Sequence, residues 1–186
     1  MSVRIRDAVP RDAPVIAAVH QASRAAAYAG RVDEELLNDM DPGERRRRWV
    51  AWLADPAVAT LVAEQGGEVV AFSTLRPSRD ADADPGAVAE LPTLYVRPDR
   101  WRRGLGSRLC RVACRRAASM GFQTLTLWVL DLNREARRFY ESFGFHEDGA
   151  TKMDDGPTLA PLLARRYRME LAEVDDGVRP RGPTAS

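Results

Sequence analysis

The sequence predicts a single-domain α/β (α+β) fold: a mixed central sheet of six to seven strands flanked by about four helices. Three observations carry this reading. Segments with strand and helix periodicity follow one another as strand, helices, several strands, helix, strand, helix, strands. The strand "ELPTLYV" is followed by a helix and then by the apolar run "FQTLTLWVL", an order that produces a parallel pair with a crossover. A chain of 186 residues suffices for one well-buried domain and is short for two.

Taken in order, "VRIRDA" alternates like a strand, and Asp12 is placed to cap a helix whose apolar residues Val15, Ile16, Val19 and Ala22 recur at helical spacing. "VDEELLNDM" and "ERRRRWVAWLAD" read as two further helical pieces, divided by Asp41-Pro42-Gly43, a combination that ends a helix. In the second piece Trp49, Val50, Trp52 and Leu53 form an apolar face, and the arginine run at 45–48 reads as a solvated one. "ATLVAEQGGEVVAFSTL" is a hairpin whose glycines supply the positive φ of a tight turn. The polar loop "PSRDADADPGAV" leads into "ELPTLYV". "GLGSRLCRVACRRAASMG" is a helix closed by Gly121, Asn133 caps the short helix "REARRFYESFG", and "ARRYRMELA" is a late strand. Residues 1–172 form the expected domain, and the remaining 173–186, rich in Pro, Gly and charge, are expected to be disordered.

Composition excludes several classes of function. Lys and Arg number 28 against 27 Asp and Glu, which leaves no polyanion-binding field and argues against a nucleic-acid or membrane-surface protein. No stretch approaches the ~20 apolar residues that span a bilayer. Cys110 and Cys114 lie four apart on one helix without the further ligands of a zinc site, so a reduced, cytoplasmic pair is expected. "DADAD" at 80–84 imitates the start of a calcium loop, but Pro85 stands where its glycine belongs and Leu91 where its bidentate glutamate belongs. No metal is expected.

The segment that carries chemistry is "RRGLGSRLC", residues 102–110. The first amides of a helix lack carbonyl partners and sit at the positive end of the helix dipole, so they attract anions. Gly104 and Gly106 let the backbone approach a phosphate closely, and Arg102 and Arg103 add charge. A P-loop fails for want of Gly-Lys-Ser/Thr, and a dinucleotide turn fails because Leu109 stands at the third glycine. Taken alone, the turn also fits a helix start that binds nothing.

Its flanks decide. "LYVRPDRWRRGLGS" and "NREARRFYESFGF", together with the hairpin "VAEQGGEVVAFSTL", resemble the GCN5-related N-acetyltransferase family, over about residues 3–171. Trp101 departs from that family's Gln/Arg. The resemblance implies the acyl-CoA N-acyltransferase fold, with the fourth and fifth strands splayed and a bulge near Thr93 and Leu94. It implies acetyl-CoA as cofactor, acetyl transfer to a primary amine by direct attack in a ternary complex, and a small-molecule or peptide amine as acceptor; a homodimer is compatible with it.

By the same resemblance, the amides of Arg102, Arg103, Gly104, Leu105, Gly106 and Ser107 hold the pyrophosphate, and Leu94, Tyr95 and Val96 offer edge backbone groups to the pantetheine arm. Asn133 and Tyr140, two helical turns apart, line the cofactor, and the Tyr140 hydroxyl protonates the leaving thiolate. Read from the residues alone, Tyr140 and Phe143 are equally core aromatics and Asn133 only a cap. Glu90 is the candidate base, acting directly or through a water; its alternative is an ordinary surface carboxylate. His20 and Tyr28 border the expected acceptor pocket, Tyr28 as a substrate-binding candidate. Trp128 replaces a glutamate used by relatives that acetylate protein N-termini. A rival reading keeps the fold as a catalytically silent acyl-CoA sensor or interaction module.

Overall fold

A computed structural model describes residues 2–32, 41–154 and 162–171. Seven strands, β1 (Val3–Asp7), β2 (Ala59–Gln65), β3 (Glu68–Pro77), β4 (Val88–Val96), β5 (Thr124–Leu130), β6 (His146–Asp154) and β7 (Leu162–Glu170), form one sheet in the order β1-β2-β3-β4-β5-β7-β6. Among the described residues four α-helices accompany it: α1 (Ala13–Tyr28), α2 (Pro42–Ala54), α3 (Leu105–Ser119) and α4 (Arg134–Phe143). The expected mixed sheet is thus present, with β4 and β5 as its parallel pair and α3 as their crossover. The proposed disordered tail and most of "VDEELLNDM" lie outside the described residues.

Two separate apolar clusters sandwich the sheet. One joins α3 and α4 to the sheet through Leu109, Ala113, Leu125, Leu127 and Tyr140. The other joins α1 and α2 to it through Ile16, Val19, Trp49, Val62, Val69 and Phe72. Strict alternation would send Val69 and Phe72 to opposite faces. A register shift between Ala63 and Glu64 leaves Val70 as an extra residue of β3 and brings both to the same face. The β2–β3 turn at Gly66 and Gly67, with φ of 63° and 82°, is the hairpin that the sequence predicts.

Several local expectations are revised. Asp41 starts a helix instead of ending one: its carboxylate accepts from the amides of Gly43 and Glu44 at 2.9 and 3.0 Å, and Pro42 takes the first helical position, where no amide is needed. The apolar face of α2 is Trp49, Trp52 and Leu53, while Val50 is 46% exposed. Asp12 does not cap α1. Its carboxylate instead takes a two-pronged contact from Arg6, at 2.7 and 3.1 Å, and accepts from the Val9 amide at 2.8 Å. β6 escapes individual reading, because "HEDGATKMD" does not alternate and has Thr151 as its one β-former.

The feature that positions the site is the parting of β4 from β5. They pair only from Val88↔Thr124 to Glu90↔Thr126, after which β4 continues to Val96 with no partner on that side. The bulge expected near Thr93 and Leu94 lies just before them: Leu91 and Pro92 together oppose Leu75 of β3. Proline has no amide to give to the ladder, which fixes the irregularity there.

Arg6 also grips Glu64 at 2.6 Å, so one guanidinium ties the edge strand β1 to β2 and to the entry of α1. The hydrogen bond from Arg6 holds the Asp12 carboxyl below its ordinary value. A depressed folded-state pKa contributes stability above the ordinary carboxyl range that is lost as pH falls through the lower value. Arg6→Met is expected to cost about 2 kcal/mol at neutral pH, since it strands a buried carboxylate. The deficit should narrow on acidification through the carboxyl range, as read by urea melts between pH 7 and pH 3; a pH-independent difference would remove the ion pair from the account.

Candidate active site

A cavity of about 740 Å³ occupies the opening between β4 and β5 and is lined from both faces of the sheet. It brings together Tyr28 at the end of α1, Glu90 through Tyr95 on β4, Trp128 through Leu130 on β5, and Asn133 and Tyr140 from α4. Candidates that lie far apart in sequence thus meet in one space. Val96 and the turn at 102–107 lie outside its lining; they flank α3, where the Gly106 Cα faces Val96 and the Phe139 ring, so that an added Cβ would sit 3.8 and 3.6 Å from them.

The alternation of the β3–β4 ladder sets which backbone groups face the opening. The Arg97 amide donates to the Val70 carbonyl, so Tyr95 pairs with Phe72 through the ladder, and Leu94 and Val96 turn their amides and carbonyls the other way. Of the three edge residues singled out in the sequence, Tyr95 therefore contributes its ring and not its backbone. The Val96 carbonyl is already taken by the Ser23 hydroxyl at 2.9 Å and by the Trp101 indole N–H. That is the work of the tryptophan at the departing position: it closes the turn back onto the end of β4.

In the turn itself Arg102 and Gly104 are left-handed, with φ of 57° and 75°, on either side of Arg103. Alternating handedness of this kind turns successive amides toward one side. The side chain of Leu105 is buried and anchors the first turn of α3, whereas Arg102, Arg103 and Gly104 are exposed and Gly106 and Ser107 half-buried. Arg102 is only loosely held by Glu135, at 3.6 Å. The turn presents cationic side chains and unpaired helix-start amides to the outside.

Asn133 both caps α4, accepting from the Ala136 amide at 3.2 Å, and lines the cavity, so the two readings of it hold together. Tyr140 is likewise both a core aromatic, edge-on to Phe139 and Phe145, and a lining residue. Burial pushes its phenol well above the ordinary value, which keeps it protonated at neutral pH. The helix that carries both is fixed by Arg137, which reaches Asp131, Glu147 and the buried Tyr167 hydroxyl at 2.9, 2.8 and 3.0 Å.

Glu90 is 6% exposed, not the surface carboxylate that was its alternative reading. Its Oε2 accepts from Arg76 Nε and pairs with Nη2, at 2.8 and 2.7 Å. Arg76 in turn lies 5.8 Å from the Trp52 ring centre. The acidic loop before β4 is committed elsewhere: Arg166 grips Asp80, Asp82 and Asp148, and Asp80 also accepts from the Trp128 indole at 3.1 Å. Asp80 and Asp82 are thus tied to β7, while Asp84 accepts from the Gly86 amide within the loop.

Sequence reasoning missed a set of cations. Arg24, Arg45, Arg48, Arg76 and Lys152 all line the cavity. The arginine run read as a solvated face is therefore only partly so: Arg45 is half-buried, and Arg48, though exposed, stands at the cavity with it. His20 lines the same wall, edge-on to Trp49 and Tyr95 at 5.5 and 4.8 Å. Its imidazole is pushed down to about 4, first by burial and then by the charges of Arg24 and Arg45, and is neutral at pH 7. The signal in the sequence was the spacing of Arg24 midway between His20 and Tyr28, one helical turn from each. Cys110 and Cys114 are fully buried in the α3 core, where burial and their mutual contact push the Cys110 thiol up, away from a reactive thiolate.

A probable N-acetyltransferase of Mycobacterium tuberculosis is 29% identical over 90% of this chain and 95% of its own length. Among solved structures, the PaiA N-acetyltransferase of Thermoplasma acidophilum in complex with coenzyme A superposes with a TM-score of 0.71 at 20% identity, over 91% of this chain and 99% of that one. The Salmonella typhimurium protein yncA, with its cofactor acetyl-CoA, gives 0.69 at 20% identity, over 98% and 100%. Both likenesses establish the fold. The model of the Acetyltransferase (GNAT) family matches residues 25–145, which is more than half of the chain, and the protein therefore belongs to the GNAT family of acetyltransferases.

Proposed function

We propose that the protein transfers the acetyl group of acetyl-CoA to a primary amine by direct attack in a ternary complex. The observation that carries this reading is the single cavity at the β4–β5 opening, which joins a buried carboxylate, Glu90, to a buried, protonated phenol, Tyr140. An amine must lose a proton and a thiolate must gain one, and the cavity holds one group suited to each task. The cofactors present in the two solved relatives, coenzyme A and acetyl-CoA, support the choice of cofactor.

The residues fit that cofactor. The left-handed turn and the amides of Arg102 through Ser107 suit a pyrophosphate, with Arg102 and Arg103 as neighbouring charge. The outward amide and carbonyl of Leu94 and the outward amide of Val96 suit an amide-bearing arm laid along the open edge of β4. Asn133, at the start of α4, faces the same space. When bound, acetyl-CoA supplies the activated acyl group. Tyr140 keeps its proton at the phenol oxygen until a leaving thiolate needs it. Glu90 receives the amine's proton, directly or through a water, on a carboxylate whose Oε2 is steadied by Arg76. No cysteine takes part, because both are buried behind the turn.

Calorimetric titration with acetyl-CoA and coenzyme A, followed by thiol release over a panel of amines, tests this directly. Micromolar binding with thiol release is expected; binding without release from any amine would favour a sensor, and no binding would end the reading. Tyr140→Phe is expected to lower kcat by ~10–10³-fold with little change in cofactor affinity. An equal loss of affinity would make it a packing residue. Gly104→Val forces a β-branched side chain into the left-handed region at an exposed position, a strain of about 1–2 kcal/mol. The fold should survive and coenzyme A binding should be lost, read by circular dichroism alongside the titration; unchanged affinity would detach the turn from the cofactor.

A further inference from the structure

The α1–α2 wall of the cavity has a composition that family membership does not dictate. On α1, His20, Arg24 and Tyr28 recur every four residues and form one inward stripe. On α2, Arg45, Arg48, Trp49 and Trp52 form another, while Arg46 and Arg47 between them are exposed outward. The strands add Arg76 and Lys152. Among the described lining residues Glu90 is the only carboxylate, and Arg76 already pairs with it.

Three of these cations stand on the α1–α2 wall, on the opposite face of the sheet from the turn at 102–107 assigned to the pyrophosphate. Arg48 has a loose partner in Glu44, at 3.4 Å with both side chains largely exposed, a pairing that gives way readily to a better anion. His20 shares the space as a neutral ring, its Nδ1 buried without a hydrogen-bond partner among the described residues. Trp49, Trp52 and Trp128 supply flat apolar walls between the cations. A polyamine or a lysine-rich peptide would meet like charge along this wall, whereas an acceptor with an anion of its own would be drawn to it.

We infer that the acceptor is an amine that also carries an anionic group, a carboxylate or a phosphonate, held by Arg24 and Arg48 while its amine faces Glu90 at the β4–β5 opening. This rests on the acetyl-transfer reading above. It adds no new step: the anion stays a binding handle, the bond formed joins the amine nitrogen to the acetyl carbon, and the bond broken is the thioester C–S bond, whose thiolate leaves with the proton from Tyr140. Guanidinium groups recognise both oxyanions through paired N–H donors, so the two share one chemistry and are separated by experiment.

The test compares small, aliphatic and aromatic α-amino acids with their carboxamides, 2-aminoethylphosphonate with ethanolamine, and all of these with putrescine. Binding is read by tryptophan fluorescence on the free protein, since three of its tryptophans line the cavity, and turnover by thiol release at saturating acetyl-CoA. At least one anionic amine should bind and react about tenfold better than its neutral counterpart, the scale of one well-placed charged contact. Arg24→Gln and Arg48→Gln should pull that ratio toward one by raising KM for the acid, with KM for acetyl-CoA unmoved. Equal treatment of acids and amides, preference for putrescine, or no binding of any acid overturns the inference. An acid preferred in fluorescence by a protein that fails to bind acetyl-CoA would instead sink the acetyl-transfer reading and leave the charge preference standing.

Discussion

Everything at the candidate site follows from the point at which β4 stops pairing with β5. Parallel strands normally stay together for as long as their amides and carbonyls can meet, because an unpaired backbone is costly to bury. Here Pro92 interrupts the supply of donors, Leu91 and Pro92 bulge against Leu75, and the two strands part just after Glu90. The last paired residue of β4 is thus also the deepest acid of the cavity. β5 loses nothing by the separation, since it pairs along its whole length with β7 on its other side. The sheet stays continuous while a wedge of space opens inside it.

Around that wedge, charge is held in place by compact networks. Arg6 and Arg166 take carboxylates from elements distant in sequence, and Arg76 and Arg137 from neighbouring ones. Arg166 lies 5.7 Å from the Trp128 ring centre, and Lys152 sits 4.2 Å over the same ring. Each arginine with two or three acceptors fixes a loop or helix terminus that apolar packing alone would leave free to slide. Arg137 is the one that matters for the site, because it sets the pitch of α4 against the buried Tyr167 and so the depth at which Tyr140 enters the cavity.

The sequence made the fold largely legible because its strongest signals are local. The Gly66-Gly67 turn, the Asn133 cap, Gly121 after α3 and the apolar run of β5 each act within a few residues. What it hid was decided by partners on other elements. Asp12 reads as a cap until Arg6 claims it, and Glu90 reads equally as a base or a surface acid until its burial beside Arg76 removes the second reading. Asp41 shows the ambiguity of a local signal: Asp-Pro-Gly suits either end of a helix, and only the apolar stripe that follows settles which. The place of Arg45 and Arg48 at the cavity was invisible for a different reason. A run of four identical side chains carries no periodicity of its own, so its orientation is borrowed from Trp49 and Trp52.

The division of the interior into two apolar clusters, one on each face of the sheet, has a consequence for divergence. Side chains of α1 and α2 pack with Val62, Val69 and Phe72, and those of α3 and α4 with a different set. A substitution on one face is therefore absorbed by neighbours that the other face does not share. Lineages can rewrite the α1–α2 wall, exchanging arginines for acids or tryptophans for smaller residues, without disturbing the helix start on the opposite side. Such an architecture lets one half of a protein drift while the other stays constant.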